Sequence, residues 1–125
     1  MSSRSTRVAE ALYDFFSGFG IPAYAIGTVP TDVRAPYLVY DLVVPDVLQS
    51  MPFYAEVYYR SPRLDALNAK VDEIETAIGE GVSLPTGAGC VRIYRGDRFR
   101  QNRVFPGDPL YRVAYLNLII AADTY

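Results

Sequence analysis

Two stretches of the chain carry apolar residues at the spacing of an amphipathic helix. In the first, residues 6–17, Ser5 or Thr6 is the expected N-cap, and Gly18 and Gly20 are expected to end the helix. Its apolar positions, including one just beyond its end, are Val8, Leu12, Phe15, Phe16 and Phe19. Because they recur every three or four positions, the pattern predicts one buried helix face.

The second helical stretch follows Ser61-Pro62, a pair typical of a helix start. Serine is a good N-cap, and proline fits the first turn because its missing N–H would have no partner there. The apolar stripe of this helix is Leu64, Leu67, Val71, Ile74 and Ile78. Gly79 and Gly81 are expected to end it.

Elsewhere the apolar pattern is that of β-strands. The predicted strands are residues 23–26, 37–44, 53–60, 90–95 and 110–122. Pro22 restricts the first strand to a sheet edge or places the proline at the strand's entry. The second and third strands are expected to form an antiparallel hairpin around the loop 45–52. Residues 79–89 and 96–109 are expected to be loops, because glycine, proline and polar residues dominate them.

Alternation along the strand 53–60 separates two faces. The side chains expected toward the helices are Phe53, Ala55, Val57 and Tyr59. Both faces of residues 110–122 are largely apolar, so this strand is expected at the sheet centre and covered on both sides. The sequence therefore predicts an α+β fold, in which two helices pack against a mostly antiparallel sheet in a single domain spanning residues 1–125.

Composition excludes several kinds of chemistry. The 125 residues include no histidine and one cysteine, Cys90, so an internal disulfide, a zinc–thiolate cluster and a histidine-based catalytic site are ruled out. Asp41 and Glu56 are the one carboxylate pair that adjacent strands could bring together, and no motif supports an active site around them. We expect no enzymatic activity, no cofactor and no metal. No apolar run is long enough to predict a membrane span or a signal peptide.

Positive charge is concentrated in one segment of a chain whose net charge is −2. The candidate interface residues of this segment are Arg92, Arg95, Arg98, Phe99, Arg100, Arg103 and Phe105. Arginine makes bidentate contacts with carboxylates and phosphates, and aromatic rings beside arginines are typical of interfaces. The segment is interpreted as a docking surface for an acidic partner or a phosphate backbone, or alternatively as a solvated loop.

Aromatic residues provide three further interface candidates. The chain has eleven tyrosines and no tryptophan, and tyrosine combines a large apolar area with one polar group. Tyr54 and Tyr58 lie on the face of the strand 53–60 that is expected to point away from the helices. Phe16 is open to two interpretations, packing in the core or contact with another subunit.

Several short segments, in order and spacing along most of the chain, are similar to one known family. These segments are 15–16, 19–24, 29–30, 36–40, 58–61, 70–81, 91–96 and 115–118. They resemble the tail terminator proteins of long-tailed bacteriophages, also called tail completion or minor capsid proteins. The family usually has tryptophan where Tyr58 stands here and more glycine near Gly87.

The resemblance implies a virion protein made in the host cytoplasm. It implies a ring, normally of six copies, that caps the tail tube and joins it to the neck, or head-completion protein, of the head. DNA passes through the lumen of such a ring without specific binding, which agrees with the negative net charge. Two alternatives stay open. One is a small nucleic-acid-binding module that uses the segment 92–103, and the other is a different head–tail neck ring.

Overall fold

The computed structural model describes residues 3–45, 49–87, 89–104 and 106–123. Its elements in chain order are α1 (Arg4–Phe16), a 3-10 turn (Ser17–Phe19), β1 (Ala23–Ala25), β2 (Tyr37–Tyr40), β3 (Ser50–Arg60), α2 (Asp65–Ile78), β4 (Val82–Pro85), β5 (Cys90–Val104) and β6 (Tyr111–Asp123). The strands form one sheet in the order β1-β2-β3-β6-β5-β4. All neighbours are antiparallel except β1 and β2. The predicted single-domain α+β fold is confirmed.

Helix α1 begins two residues before the predicted start. Its cap is Ser3, whose side-chain oxygen accepts a hydrogen bond from the backbone N–H of Thr6 at 3.1 Å, so the expected cap at Ser5 or Thr6 is wrong. The Arg4 guanidinium donates to the backbone carbonyl of Pro45, which holds the first turn against the chain after β2. After the 3-10 turn, Gly20 takes a left-handed φ of 80°, a conformation that suits glycine.

Helix α2 begins later than Ser61-Pro62 predicts. The Arg112 side chain donates to the carbonyls of Ser61 and Pro62, both at 3.1 Å, so these oxygens are already bonded outside the helix. The first regular helical bond runs from Asn68 N–H to Leu64 O at 2.8 Å. Leu64 is therefore the exposed N-cap residue, whereas the other four members of the predicted stripe are buried: Leu67, Val71, Ile74 and Ile78. Gly79 ends the helix as expected.

Strand β2 is shorter than predicted because a side chain takes over the pairing after Tyr40. Asp41 N–H donates to Tyr54 O at 2.9 Å, and Tyr54 N–H donates to the carboxylate of Asp41 at 3.1 Å. The β2–β3 hairpin is confirmed, with Tyr37 opposite Tyr58. The predicted loop 45–52 loses its last three residues, 50–52, to β3, and its residues 46–48 lie outside the described residues.

The two predicted loops after α2 both contain strand. Residues 82–85 form the edge strand β4 against β5. Residues 96–104, predicted as a polar loop, continue β5 along β6. A register shift between Arg95 and Arg100 places four β5 residues, 96–99, opposite the single residue Asn117. The strand therefore bulges and then resumes its pairing.

The core lies between the helices and one face of the sheet. That sheet face contributes Phe53, Ala55 and Val57 from β3 and alternate residues of β6 such as Leu116, all buried in one cluster with α1 and α2. The predicted helix side of the strand 53–60 is thus confirmed. The sheet curls, and α1 contacts both edge strands, β1 and β4.

Strand β6 is central, as predicted, but the helices cover only one of its two faces. Leu116, Leu118 and Ile120 point into the helix-covered core, whereas Tyr115 and Ile119 on the other face are only half-buried. Within the described ranges, both helices pack on the same face of the sheet. The prediction that both sides of β6 are covered is therefore wrong within a single copy of the chain. This uncovered face is the most distinctive surface of the molecule.

Candidate interaction surface

Among the residues that the structure describes, seven tyrosines lie on the uncovered face, which we call the aromatic face. They are Tyr24, Tyr37, Tyr54, Tyr58, Tyr94, Tyr111 and Tyr115. Strand register brings them together. Tyr37 of β2 is opposite Tyr58 of β3, and Tyr58 is opposite Val113 of β6, which has Tyr111 and Tyr115 two residues away on either side. Tyrosines from five strands, β1, β2, β3, β5 and β6, thereby share one face of the sheet.

Three tyrosines pack ring against ring at one end of the aromatic face. The rings of Tyr37 and Tyr58 stack with centroids 4.6 Å apart, and Tyr111 meets Tyr58 edge-on at 6.1 Å. Val39 and Val113 are buried yet lie outside the main core cluster. The tyrosine rings thus pack with these two valines in a thin apolar layer separate from the main core.

One carboxylate lies within this layer. The hydroxyl of Tyr58 donates to the carboxylate of Glu56 at 3.0 Å. Burial, followed by the negative charge of Glu56 and this hydrogen bond, raises the pKa of Tyr58 well above its ordinary value. Burial and hydrogen bonding to Tyr111 likewise raise the pKa of Tyr37. Both hydroxyls therefore stay protonated at neutral pH.

A second aromatic pair on this face carries a positive charge. Tyr54 and Tyr115 have ring centroids 5.2 Å apart, and the Arg103 guanidinium lies 4.1 Å from the centroid of the Tyr115 ring. This is the geometry of a cation–π contact. Tyrosine and arginine together are the residue types enriched at the buried centres of protein interfaces. Arg92, opposite Ala121 on the same face, adds a further guanidinium.

The five arginines of the predicted docking segment do not share one surface. Arg95 and Arg100 point to the helix side, where α2 binds them. Arg95 donates to Glu75 at 3.0 Å and to the carbonyl of Gly79 at 3.1 Å. Arg100 donates to the Asn68 side chain at 2.6 Å. The interpretation of residues 96–109 as one arginine-rich docking loop is therefore corrected, because β5 sends alternate side chains to opposite faces.

Replacing Arg100 by alanine is expected to lower the free energy of unfolding by about 1 kcal/mol. The change removes a charged hydrogen bond to Asn68 and a partly exposed ion pair with Asp72, whose closest atoms are 3.6 Å apart. The matched control is Arg98→Ala, which removes an exposed arginine from the same strand and should change stability by less than about 0.5 kcal/mol. Urea denaturation of the two variants measures the difference, and equal losses would contradict the stabilising contact of Arg100 with α2.

The five aromatic candidates have different outcomes. Phe16 is 0% exposed and packs within the core, so its assignment to an interface is wrong. Phe99 is half-buried and packs against the core. Phe105 lies outside the described residues. Tyr54 and Tyr58 do lie on the aromatic face, and their role in an interface stays a prediction.

The structure also places the other features that were considered from the sequence. Asp41 accepts a hydrogen bond from Tyr54 N–H, and Glu56 accepts one from Tyr58, so these carboxylates have separate partners. Within the described ranges, no three acidic or cysteine side chains gather where they could hold a metal ion. No helix in the part of the chain that the structure describes is long and apolar enough to cross a membrane. Cys90 begins β5 and is half-buried.

Sequence reasoning missed most of the aromatic face. The alternation Tyr111, Val113, Tyr115 is visible in the sequence and marks one face of β6. The sequence does not show that β6 pairs with β3, and this pairing places Tyr115 opposite Glu56 and beside Tyr54. A comparison with models of known protein families and with curated proteins finds no match to this chain.

Proposed function

We propose that this protein is a structural subunit of a ring, formed by about six copies, that caps the tail tube of a long-tailed bacteriophage and joins it to the neck of the head. The ring acts by contact and performs no catalysis. Its partners are further copies of itself, the tail tube protein and a neck or head-completion protein. DNA passes through the lumen without specific binding. Its place is the head–tail junction of the virion, after synthesis in the host cytoplasm.

The aromatic face is the observation that carries this proposal. A sheet with helices on one face alone leaves the other face to water or to a partner. Here that face carries the seven tyrosines with Arg92 and Arg103, a composition typical of protein interfaces. A chain that must contact neighbours on several sides needs such surfaces, whereas a small monomeric protein does not. The family resemblance of segments along the sequence supports the same function.

The mass of the purified protein in solution tests the proposal. We expect either a species near six times 13.9 kDa or a monomer that forms rings once the tail tube protein of its phage is added. Light scattering across a range of concentrations measures the mass, and negative-stain electron microscopy shows whether rings sit at tube ends. A strict monomer that ignores the tube protein would contradict the proposal. A ring that binds other particle proteins, but not tubes, would favour a different neck ring.

A second candidate function is binding of single-stranded nucleic acid on the aromatic face. Exposed rings on an open sheet can stack bases, and Arg92 and Arg103 on that face can contact phosphates. This differs from the predicted use of Phe99, whose ring packs against the core. Titration with short oligonucleotides at low and high salt discriminates, because phosphate-driven binding weakens steeply with salt. No binding at low salt would exclude this function.

A further inference from the structure

We propose that neighbouring copies meet head to tail, with the Arg98 protrusion of one copy seated in an acidic groove beside α1 of the next. The protrusion is the β5 bulge, residues 96–99. The groove lies between α1 and the ends of β1 and β2. This inference rests on the proposed ring, because it names the two surfaces through which the ring closes.

The protrusion is a rigid segment with an exposed charge. Arg98 has a φ of 52°, which is uncommon for a residue with a side chain. The Asn117 side chain donates to the carbonyl of Arg98 at 2.6 Å and holds this conformation. A Cβ at Gly96 would lie 3.2 Å from the backbone of Asn117, a tight contact, so the close approach of the two strands favours glycine at this position. Strained conformations of this kind persist where surrounding contacts enforce them, and they cluster at functional sites.

Arg98 also differs from the other arginines of β5 in its contacts. Arg95 and Arg100 are bonded to α2, and Arg103 lies on Tyr115. Among the described residues, the Arg98 guanidinium takes part in no ion pair. It is exposed at the margin of the aromatic face, beside Asn117, which lies opposite Tyr54. A bound carboxylate would supply the partner that it lacks within its own chain.

The groove has the complementary chemistry. Its volume is about 540 Å³, and it is lined by apolar side chains together with the carboxylates of Glu10 and Asp14. Tyr13 and Leu42 in its wall are 52% and 46% exposed, which is unusual for large apolar residues. In the described part of the chain, neither carboxylate takes part in an ion pair. Asp14 lines the groove together with Tyr40, whose pKa is raised by burial, then by Tyr13 and then by the negative charge of Asp14.

Spacing allows both carboxylates to bind one guanidinium. Glu10 and Asp14 are four residues apart on α1, so their Cβ atoms lie about 5–6 Å from each other on the same side of the helix. A guanidinium has five N–H donors in a planar fork and can bond two carboxylates at once. Tyr13 and Leu42 would exclude water around this contact, which strengthens it.

The position of the two surfaces favours a ring over a closed dimer. In the strand order, the groove lies beside β1 and β2 at one end of the sheet, while the protrusion belongs to β5 toward the other end. Two different, complementary surfaces on one molecule make a heterologous contact. Such contacts form closed rings where the rotation between copies closes, whereas a two-fold dimer requires a surface that matches itself.

Reversal of the charges on both sides tests the contact. Arg98→Glu alone, and Glu10→Lys with Asp14→Lys, should each raise the protein concentration needed for half-assembly at least tenfold. The triple variant, which exchanges the charges, should return to within about threefold of the wild type. Light scattering measures assembly, with tube protein present if the wild type requires it. The control is Arg34→Glu, which makes the same charge change at an exposed loop residue and should assemble normally.

The outcomes separate this inference from the proposed function. If the wild type forms rings and Arg98→Glu assembles equally well, or if the triple variant shows no recovery, this contact is excluded while the ring stands. If the wild type never assembles, both are excluded. Where a reversed variant fails to fold, cysteines replace the charges. In a Cys90→Ser background, Arg98→Cys with Asp14→Cys should give a ladder of copies linked by a short bis-maleimide, which alkylates both thiols and spans the gap left by the removed arginine side chain. A ladder that stops at the dimer would exclude the contact.

Discussion

Replacing Phe16 by alanine is expected to lower the free energy of unfolding by about 3–5 kcal/mol. The Phe16 ring is fully buried, stacks on Tyr40 with centroids 4.7 Å apart and meets Phe53 edge-on at 6.3 Å. Its loss would leave a cavity where α1 packs on β2 and β3, and the packed neighbours could close it only in part. Urea denaturation followed by circular dichroism measures the change.

The matched control lies on the same helix. Tyr13 is more than half exposed, so Tyr13→Ala should cost less than about 1 kcal/mol of folding stability. The pair also separates the two interpretations that the sequence leaves open for Phe16. A small loss of stability together with failed assembly would make Phe16 a subunit contact and would contradict its place in the core.

The helices illustrate what the hydrophobic pattern predicts well. The stripe of α2 is correct from Leu67 to Ile78, because a buried helix face imposes the three- and four-residue spacing on the sequence itself. The predicted start of α2 is three residues too early, because the side chain of Arg112 donates hydrogen bonds to the carbonyls of Ser61 and Pro62. Arg112 lies on β6, and no local pattern identifies so distant a partner.

Strand β5 illustrates what the pattern cannot predict. Residues 96–104 are polar on both alternating faces, which is typical of a loop. They form a strand because β6 provides a backbone partner and because α2 binds the arginines on one side. The conformation depends on contacts between elements far apart in sequence, and these outweigh local propensity.

The aromatic face could be predicted from the sequence only in part. Each strand shows its own alternation in the sequence, and this identified Tyr54 and Tyr58 as residues that point away from the helices. The size of the surface depends on strand order, which joins β2, β3, β6 and β5 side by side. Tyr115 and Ile119 are only half-buried although they lie on a central strand, and this is the surface that the proposed ring would cover. The same surface carries the Arg98 protrusion at its margin, so one contact can bury both.

Replacing Tyr54 by aspartate is expected to raise the concentration for half-assembly by about 30-fold or more, which corresponds to about 2 kcal/mol of binding free energy. Tyr54 and Tyr115 form a tilted pair of rings, and the side chain of Tyr54 is the more exposed of the two. The carboxylate of an aspartate at position 54 would lose its hydration on assembly, which is costly. Folding should be less affected, because the hydrogen bonds that Tyr54 makes with Asp41 come from its backbone. Light scattering measures assembly, and urea denaturation measures stability.

Two controls make the Tyr54→Asp result specific. Tyr54→Phe keeps the ring and should assemble within about threefold of the wild type, because the contact depends on apolar area. Thr76→Asp adds the same charge to the exposed side of α2 and should leave assembly unchanged. Unaltered ring formation by Tyr54→Asp would show that the aromatic face lies outside the subunit contact. If Tyr54→Asp rings then failed to bind tubes, the face would belong to the contact with the tube protein. If they bound tubes normally, the aromatic face would have no part in the proposed assembly.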